Sequence, residues 1–416
     1  MKKKLLPALI VTGLIILVVI IMGITALINK YTPTKKTEDL KEYFNISSDD
    51  EAALIVDNEL SDYKAKIIDK KIYVDYKFVH DSLNSRFYWD ANENVLLYTT
   101  ASDIISAAAD SNSYSVTKQT NDFGYPIVKA TSDSALIALD YVKQYSNITF
   151  KSYDDPARIV ITSKWDEIDS ATVSKSTQVR VKGGIKSPIL KEVKKDDKIT
   201  ILDSGDKWDK VATEDGVIGY IKRKALSESK KTKLTNPDYE EETFTHIKKD
   251  KDICLAWNQV TSQSANSKVP QVISSTKGIN VMSPTWFYLN DNNGNLADIA
   301  SKDYVSYCHS QGIEVWGLFS NLENTDVDAA YVLTHTSTRT TLINQIMSAA
   351  FNYELDGVNI DFENITEAAY GDSYIEFIRE LSIKCHNNGI SLSVDVTVPA
   401  SFNKFFNRSD MAKFAD

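Results

Sequence analysis

Leu5 to Ile28 is a run of 24 residues without a charge, built mainly from Leu, Ile and Val. No other feature restricts the chain so much. As a helix rising 1.5 Å per residue, the run reaches about 36 Å, enough to cross a hydrocarbon core of ~30 Å. A core helix of a soluble domain would carry a polar stripe, and this run has none. A cleavable signal peptide is the competing reading, but its apolar region is usually about 7–15 residues. The longer run therefore predicts an uncleaved membrane anchor. Lys2, Lys3 and Lys4 precede it, and Lys30, Lys35 and Lys36 follow it. A short tail is more easily left inside than the long remainder. The expectation is a single-pass protein of the cell membrane, with residues 1–28 as tail and anchor and the body outside.

The 416 residues are 43% hydrophobic and 25% charged, which fits a globular chain of about three domains. Net charge is −10, and the first 37 residues hold six lysines and no acid, so the outer part is more acidic still. That excludes nucleic acid as the main partner, because phosphate binding needs a basic face. Cys254, Cys308 and Cys385 lack metal-ligand spacing and cannot form a disulfide framework. They read as buried free thiols, although one pair could form outside the cell.

Residues 29–48 are polar and read as a spacer. From 49 to 165 a pattern repeats at an offset of 63 residues. Ile72 to Val79, Arg86 to Trp89 and Val95 to Thr99 are echoed by Ala135 to Val142, Thr149 to Ser152 and Arg158 to Thr162. Each copy predicts a short helix followed by a hairpin, the two copies sharing one small α+β core. The pattern resembles the stalk-type domain at the N-terminus of copper amine oxidases. Residues 172–227 predict short strands with tight turns, and Asp215-Gly216 suits a hairpin because Gly accepts positive φ. The stretch from Gly205-Asp206-Lys207-Trp208 through Gly219-Tyr220-Ile221 resembles a bacterial SH3 domain, a small β-barrel. Such domains often contact peptidoglycan peptides. A charged linker, 228–248, follows.

From 249 to 416 the texture changes. Ile253 to Trp257, Ile279 to Ser283, Ile313 to Phe319, Leu355 to Phe362 and Ile390 to Val398 are strand candidates. Ala300 to Gln311, Arg339 to Tyr353 and Ser373 to Asn388 fit helices between them. Near-continuous apolar strands alternating with helices predict a parallel sheet covered by helices. Right-handed crossovers allow a doubly wound sheet or a (β/α)₈ barrel.

The chemistry concentrates in Leu355-Asp356-Gly357-Val358-Asn359-Ile360-Asp361-Phe362-Glu363-Asn364. Side chains alternate faces on a strand, so Val358, Ile360 and Phe362 are expected to face covering helices. Asn359, Asp361 and Glu363 then line the other face together. Polar groups there are costly unless they serve one another or a ligand. Two acids so close cannot both ionise freely, so one pKa is expected to rise, leaving an acid able to donate a proton near neutral pH.

Asp356-Gly357-Val358-Asn359-Ile360-Asp361-Phe362-Glu363 resembles the Asp-Gly-x-Asp-x-Asp-x-Glu signature of family 18 glycoside hydrolases. Within that family it is most similar to the wall-lytic N-acetylglucosaminidase branch, and Asn359 stands where an acid is usual. The resemblance implies a (β/α)₈ barrel with this segment as its fourth strand, and substrate-assisted retention as the mechanism. Glu363 would be the general acid, the substrate's own acetamido oxygen the nucleophile, and Asp361 the group that orients the acetamido N–H. Asn359 would support Asp361. Asp356 and Gly357 would be structural. The substrate would be an N-acetylglucosamine-containing glycan, peptidoglycan or chitin-like, with no metal or organic cofactor.

Trp257, Trp286, Trp316 and Phe319 fall at or near the expected C-terminal strand ends, where aromatic faces can stack on sugars. About half of such aromatics are expected to be core instead. A whole barrel takes about 250 residues, whereas 249–416 supplies 168, and the family's sixth-strand Met-x-Tyr-Asp motif is absent. The expected architecture is therefore multidomain: a transmembrane helix, an α+β repeat domain, an SH3-like barrel and a partial (β/α)₈ barrel. The chain is expected to be a piece of a longer protein and inactive alone. The alternative function is a surface protein that binds wall glycan without cleaving it.

Overall fold

The computed structural model describes residues 2–416, with side chains from Leu9 onward. The side chains of Lys2, Lys3 and Lys4, invoked for orientation, lie outside the described residues. The chain forms several sheets with helices and divides into two compact units, Met1–Tyr73 with Tyr145–Tyr239, and Val74–Gln144 with Glu240–Asp416. The division falls inside the 49–165 stretch.

In the first unit, the helix Lys2–Tyr31 contains a 23-residue segment, Leu9–Tyr31, long and apolar enough to cross a membrane by length and composition. Its Leu, Ile and Val side chains are exposed all round. The segment after it is not a loose spacer. Thr34 N–H donates to Ile185 O, Ile189 N–H to Lys36 O and Glu38 N–H to Ile189 O, each at 2.8 Å. Phe44 is buried in the core of this unit with Ile55, Val179, Val211 and Ile221. Extended backbone with free N–H and C=O groups is completed by pairing, and here an adjacent strand supplies it.

Residues 167–233 form a seven-stranded antiparallel sheet in the order 189–193, 177–180, 218–222, 208–213, 198–203, 167–172, 230–233. The last strand, Lys230–Lys233, lies in what the sequence suggested was linker. Gly216 has φ +82°, as the tight turn before Ile218–Lys222 requires. Beside this sheet, Glu51–Val56 pairs parallel with Arg158–Thr162.

Both copies of the 63-residue repeat contain a strand, a short helix and a hairpin, where a helix and hairpin were expected. Lys71–Asp75 precedes Tyr76–Phe78, and Ala135–Ala138 precedes Leu139–Gln144. Ile72, Tyr73 and Val74 favour strand over helix in the first copy, while Ala135–Ala138 in the second is strand through its pairing with Val128–Ala130.

In the second unit, Phe87–Asp90, Val95–Thr99, Ile104–Ala108, Ser113–Val116 and Gln119–Asp122 make a consecutive antiparallel meander. The strands Leu255–Asn258, Val281–Leu289, Glu314–Ser320, Gly357–Asp361 and Ser391–Val394 form a parallel sheet in chain order. No reversal of order occurs, unlike a doubly wound sheet. The helices Lys302–Ser310, Thr336–Tyr353 and Ala368–His386 alternate with these strands. Val358, Ile360 and Phe362 are buried in one core with Leu342, Ile346, Phe377 and Leu381 of two helices. Phe362 stacks on Phe377 at 5.6 Å and an interplanar angle of 18°. Cys308 and Cys385 are buried in that core, but Cys254, preceding the first strand, is exposed.

Candidate active site

The register places Leu318 opposite Asn359, Ser320 opposite Asp361, and Ser393 opposite Asn359 on the other side. Side-chain alternation then carries Asn359 and Asp361 to the sheet face opposite the helices, with Glu363 following just past the strand end. Gly357 belongs to this geometry. A Cβ there would meet the Trp316 ring at 2.7 Å, so only a glycine lets the indole lie across the strand.

Asp361 and Glu363 open into one cleft of about 390 Å³. Trp257, Thr285, Leu318, Asp395, Thr397 and Phe406 are among the residues of its wall. The pKa of Asp361 is raised to about 6, first by burial and then by the negative charges of Asp395, Glu363 and Glu323. The expected coupling of two acids is thus present with Asp361 as the group that shifts. Asn321 clamps the backbone at Glu363 from both sides, accepting from its N–H at 2.9 Å and donating to its C=O at 3.1 Å. Asn364, next in the chain, has φ +60°, the left-handed turn that ends the segment.

Asn359 is fully buried. Its amide donates to Asp395 Oδ2 at 2.6 Å, rather than to Asp361 as the sequence suggested. Its carbonyl oxygen has no partner among the described residues. Leaving a buried acceptor unsatisfied costs about 1–3 kcal/mol, so the group calls for an explanation. Burial raises the pKa of Asp395, while the Asn359 amide and the neighbouring Trp257 indole work against the rise. Asp395 N–H continues the ladder to Ile360 O at 2.8 Å before the chain leaves the sheet.

Asp356 sits at the opposite end of the strand. Its carboxylate accepts from Val315 N–H and contacts His309 Nε2, both at 2.8 Å, which ties the third and fourth strands to the preceding helix.

Of the four aromatics expected to line the site, the structure brings one to it. Trp257 is 61% exposed at the cleft. Trp286 is buried and donates to Asn266 Oδ1 at 2.8 Å. Phe319 is buried against Phe287, stacked at 4.5 Å. Trp316 is on the cleft side of the sheet but buried below the cleft, bonded to Glu314 at 3.0 Å. For these three, hydrocarbon packing takes the faces a sugar would need.

Sequence reasoning missed Asp395, Asn321 and Glu323. A signal for Asp395 was present. Ser391, Ser393 and Asp395 alternate with Leu392 and Val394, the same period of two that singles out Asn359 and Asp361.

No protein-family model matches the chain, and no curated protein does. Solved structures that resemble it include the C-terminal domain of a putative chitinase from Desulfitobacterium hafniense, at 19% identity and a TM-score of 0.33, covering 38% of this chain and 49% of that one. A chitinase from Chromobacterium violaceum is similar at 18% identity and a TM-score of 0.34, covering 39% and 53%. The spore cortex-lytic enzyme SleL of Bacillus megaterium is similar at 16% identity and a TM-score of 0.33, covering 39% of each chain. The chain therefore spans about half the length of these structures or less.

Proposed function

We propose that the protein is a membrane-anchored, extracellular glycoside hydrolase that cleaves β-1,4 bonds of N-acetylglucosamine-containing glycans, with peptidoglycan the first substrate and chitin-like polymers the second. The observation that carries this reading is the convergence of Asp361 and Glu363 on one cleft walled by the exposed Trp257. Its volume falls within the usual range for small-ligand sites, ~300–1,000 Å³. The apolar helix Leu9–Tyr31 supports the anchor. The chain-order parallel sheet supports reading 249–416 as the N-terminal part of a (β/α)₈ barrel, and the antiparallel sheet of 167–233 supports an SH3-like module facing the wall.

In this reading Glu363 protonates the leaving glycosidic oxygen. The substrate's acetamido oxygen closes on the anomeric carbon from the opposite side. Asp361, buried beside the reacting atoms, holds the acetamido N–H and stabilises the positive charge that develops. The Trp257 ring offers the apolar face of a sugar a stacking surface.

The test is turnover of fluorogenic N-acetylglucosaminides and of purified cell wall by the full-length protein. Glu363→Gln is expected to lose about 10²–10⁴ in kcat/KM, the usual contribution of a general acid. A wild type no faster than Glu363→Gln would replace the hydrolase with a glycan-binding surface protein.

A further inference from the structure

Asp395 stands outside the Asp361–Glu363 pair, just past the end of a different strand, yet it lines the same cleft and hydrogen-bonds Asn359 of the Asp361 strand. A carboxylate only accepts, so the NH₂ of Asn359 must face Asp395, and the amide carbonyl must take the other arm. The amide of a fully buried Asn359 is thereby locked in one orientation. Its carbonyl oxygen has no partner among the described residues. Trp257 lines the same cleft beside this carboxylate, with its ring exposed.

We infer that Asp395 is a positioning residue of this cleft, fixing the Asn359 amide beside Trp257 and placing a second negative charge against Asp361. The inference rests on the hydrolase reading for its catalytic consequence, but not for its geometry. Burial and three carboxylates set the protonation of Asp361: Asp395 just past the fifth strand, Glu363 beyond the end of the fourth, and Glu323 beyond the third. Helix Ala368–His386 adds the neutral phenol of Tyr374. Among the carboxylates, Asp395 is the largest contributor.

Two readouts test this on the full-length protein. The emission of Trp257, taken as the difference between wild type and Trp257→Phe, is followed against pH. In Asp395→Asn its inflection is expected to move down by about one pH unit or vanish, the size of effect one nearby like charge exerts. The pH profile of kcat/KM is expected to move the same way, with kcat falling more than KM changes. Asp395→Glu keeps the charge but slackens the hydrogen bond to Asn359, so its profile stays in place while kcat falls. An Asp395→Asn protein that titrates and turns over like wild type overturns the inference. Where that variant does not fold by circular dichroism, an Asp395→Glu protein with wild-type kcat and Trp257 emission overturns it instead. A wild type without turnover whose Trp257 inflection still moves in Asp395→Asn sinks the hydrolase reading and supports Asp395 as the organiser of the cleft.

Discussion

Asp361 holds its proton to about pH 6 because burial and three neighbouring carboxylates oppose its charge. The consequence for stability has a definite sign. The folded chain binds this proton more tightly than the unfolded chain, so the group's stabilising contribution is complete below the ordinary aspartate range and is lost as pH rises to about 6. Asp361→Asn cannot ionise and escapes that loss. Thermal melts are expected to show the variant close to wild type near pH 4 and more stable than wild type at pH 7, while its activity falls. A melting-point difference that does not change with pH would show that Asp361 is not desolvated. Asp361 and Glu363 were legible from alternation because a strand leaves little freedom in where a side chain goes. Trp286 and Phe319 were not separable from Trp257, because an aromatic at a strand end has the same signature whether its face meets solvent or another ring. Burial, which decides between the two, is set by residues far away in the chain.

The helix Thr336–Tyr353 has no cap from its own N-terminal residues. The meander provides one. Asp90 accepts from Thr336 N–H and Oγ1 at 2.6 Å each, and Glu93 accepts from Ser337 N–H at 3.0 Å. Two carboxylates thus meet the positive end of the helix dipole from the turn between Phe87–Asp90 and Val95–Thr99. Asp90→Ala is expected to cost about 1–2 kcal/mol, as loss of an N-cap does, and to lower the melting temperature of the second unit without altering the cleft. An unchanged melt would mean that the helix end is satisfied by water. The five parallel strands and three long helices could be read from their apolar runs, since a strand covered on both sides has few polar positions. The cap could not, because its donors and acceptors are about 246 residues apart and neither end carries a local sign of the other.

At the scale of the whole molecule, the helix Ala368–His386 is buried on nearly every face, charged residues included. One side meets the parallel sheet. Another meets the meander, where Thr99 Oγ1 donates to Glu376 at 2.8 Å and Tyr88 OH pairs with Ser373 at 2.9 Å. Arg339 binds Glu380 at 2.9 Å and lies 5.0 Å from the centre of the Tyr88 ring. Breaking such buried pairs by exposure or by removing one partner is strongly destabilising. Residues 240–416 expressed without 74–144 are therefore expected to lose near-ultraviolet circular dichroism and to aggregate on size-exclusion chromatography, whereas joining the two segments restores a folded species. A monomeric, well-folded 240–416 would show the meander to be dispensable.

The junction after the N-terminal helix leaves little room for swivelling. Tyr31 ends the helix, Lys186 donates to the carbonyls of Asn29 and Thr32, and by Thr34 the backbone is already joined to Ile185. A rotation or tilt of the helix is handed on to the antiparallel sheet rather than absorbed by a flexible stalk.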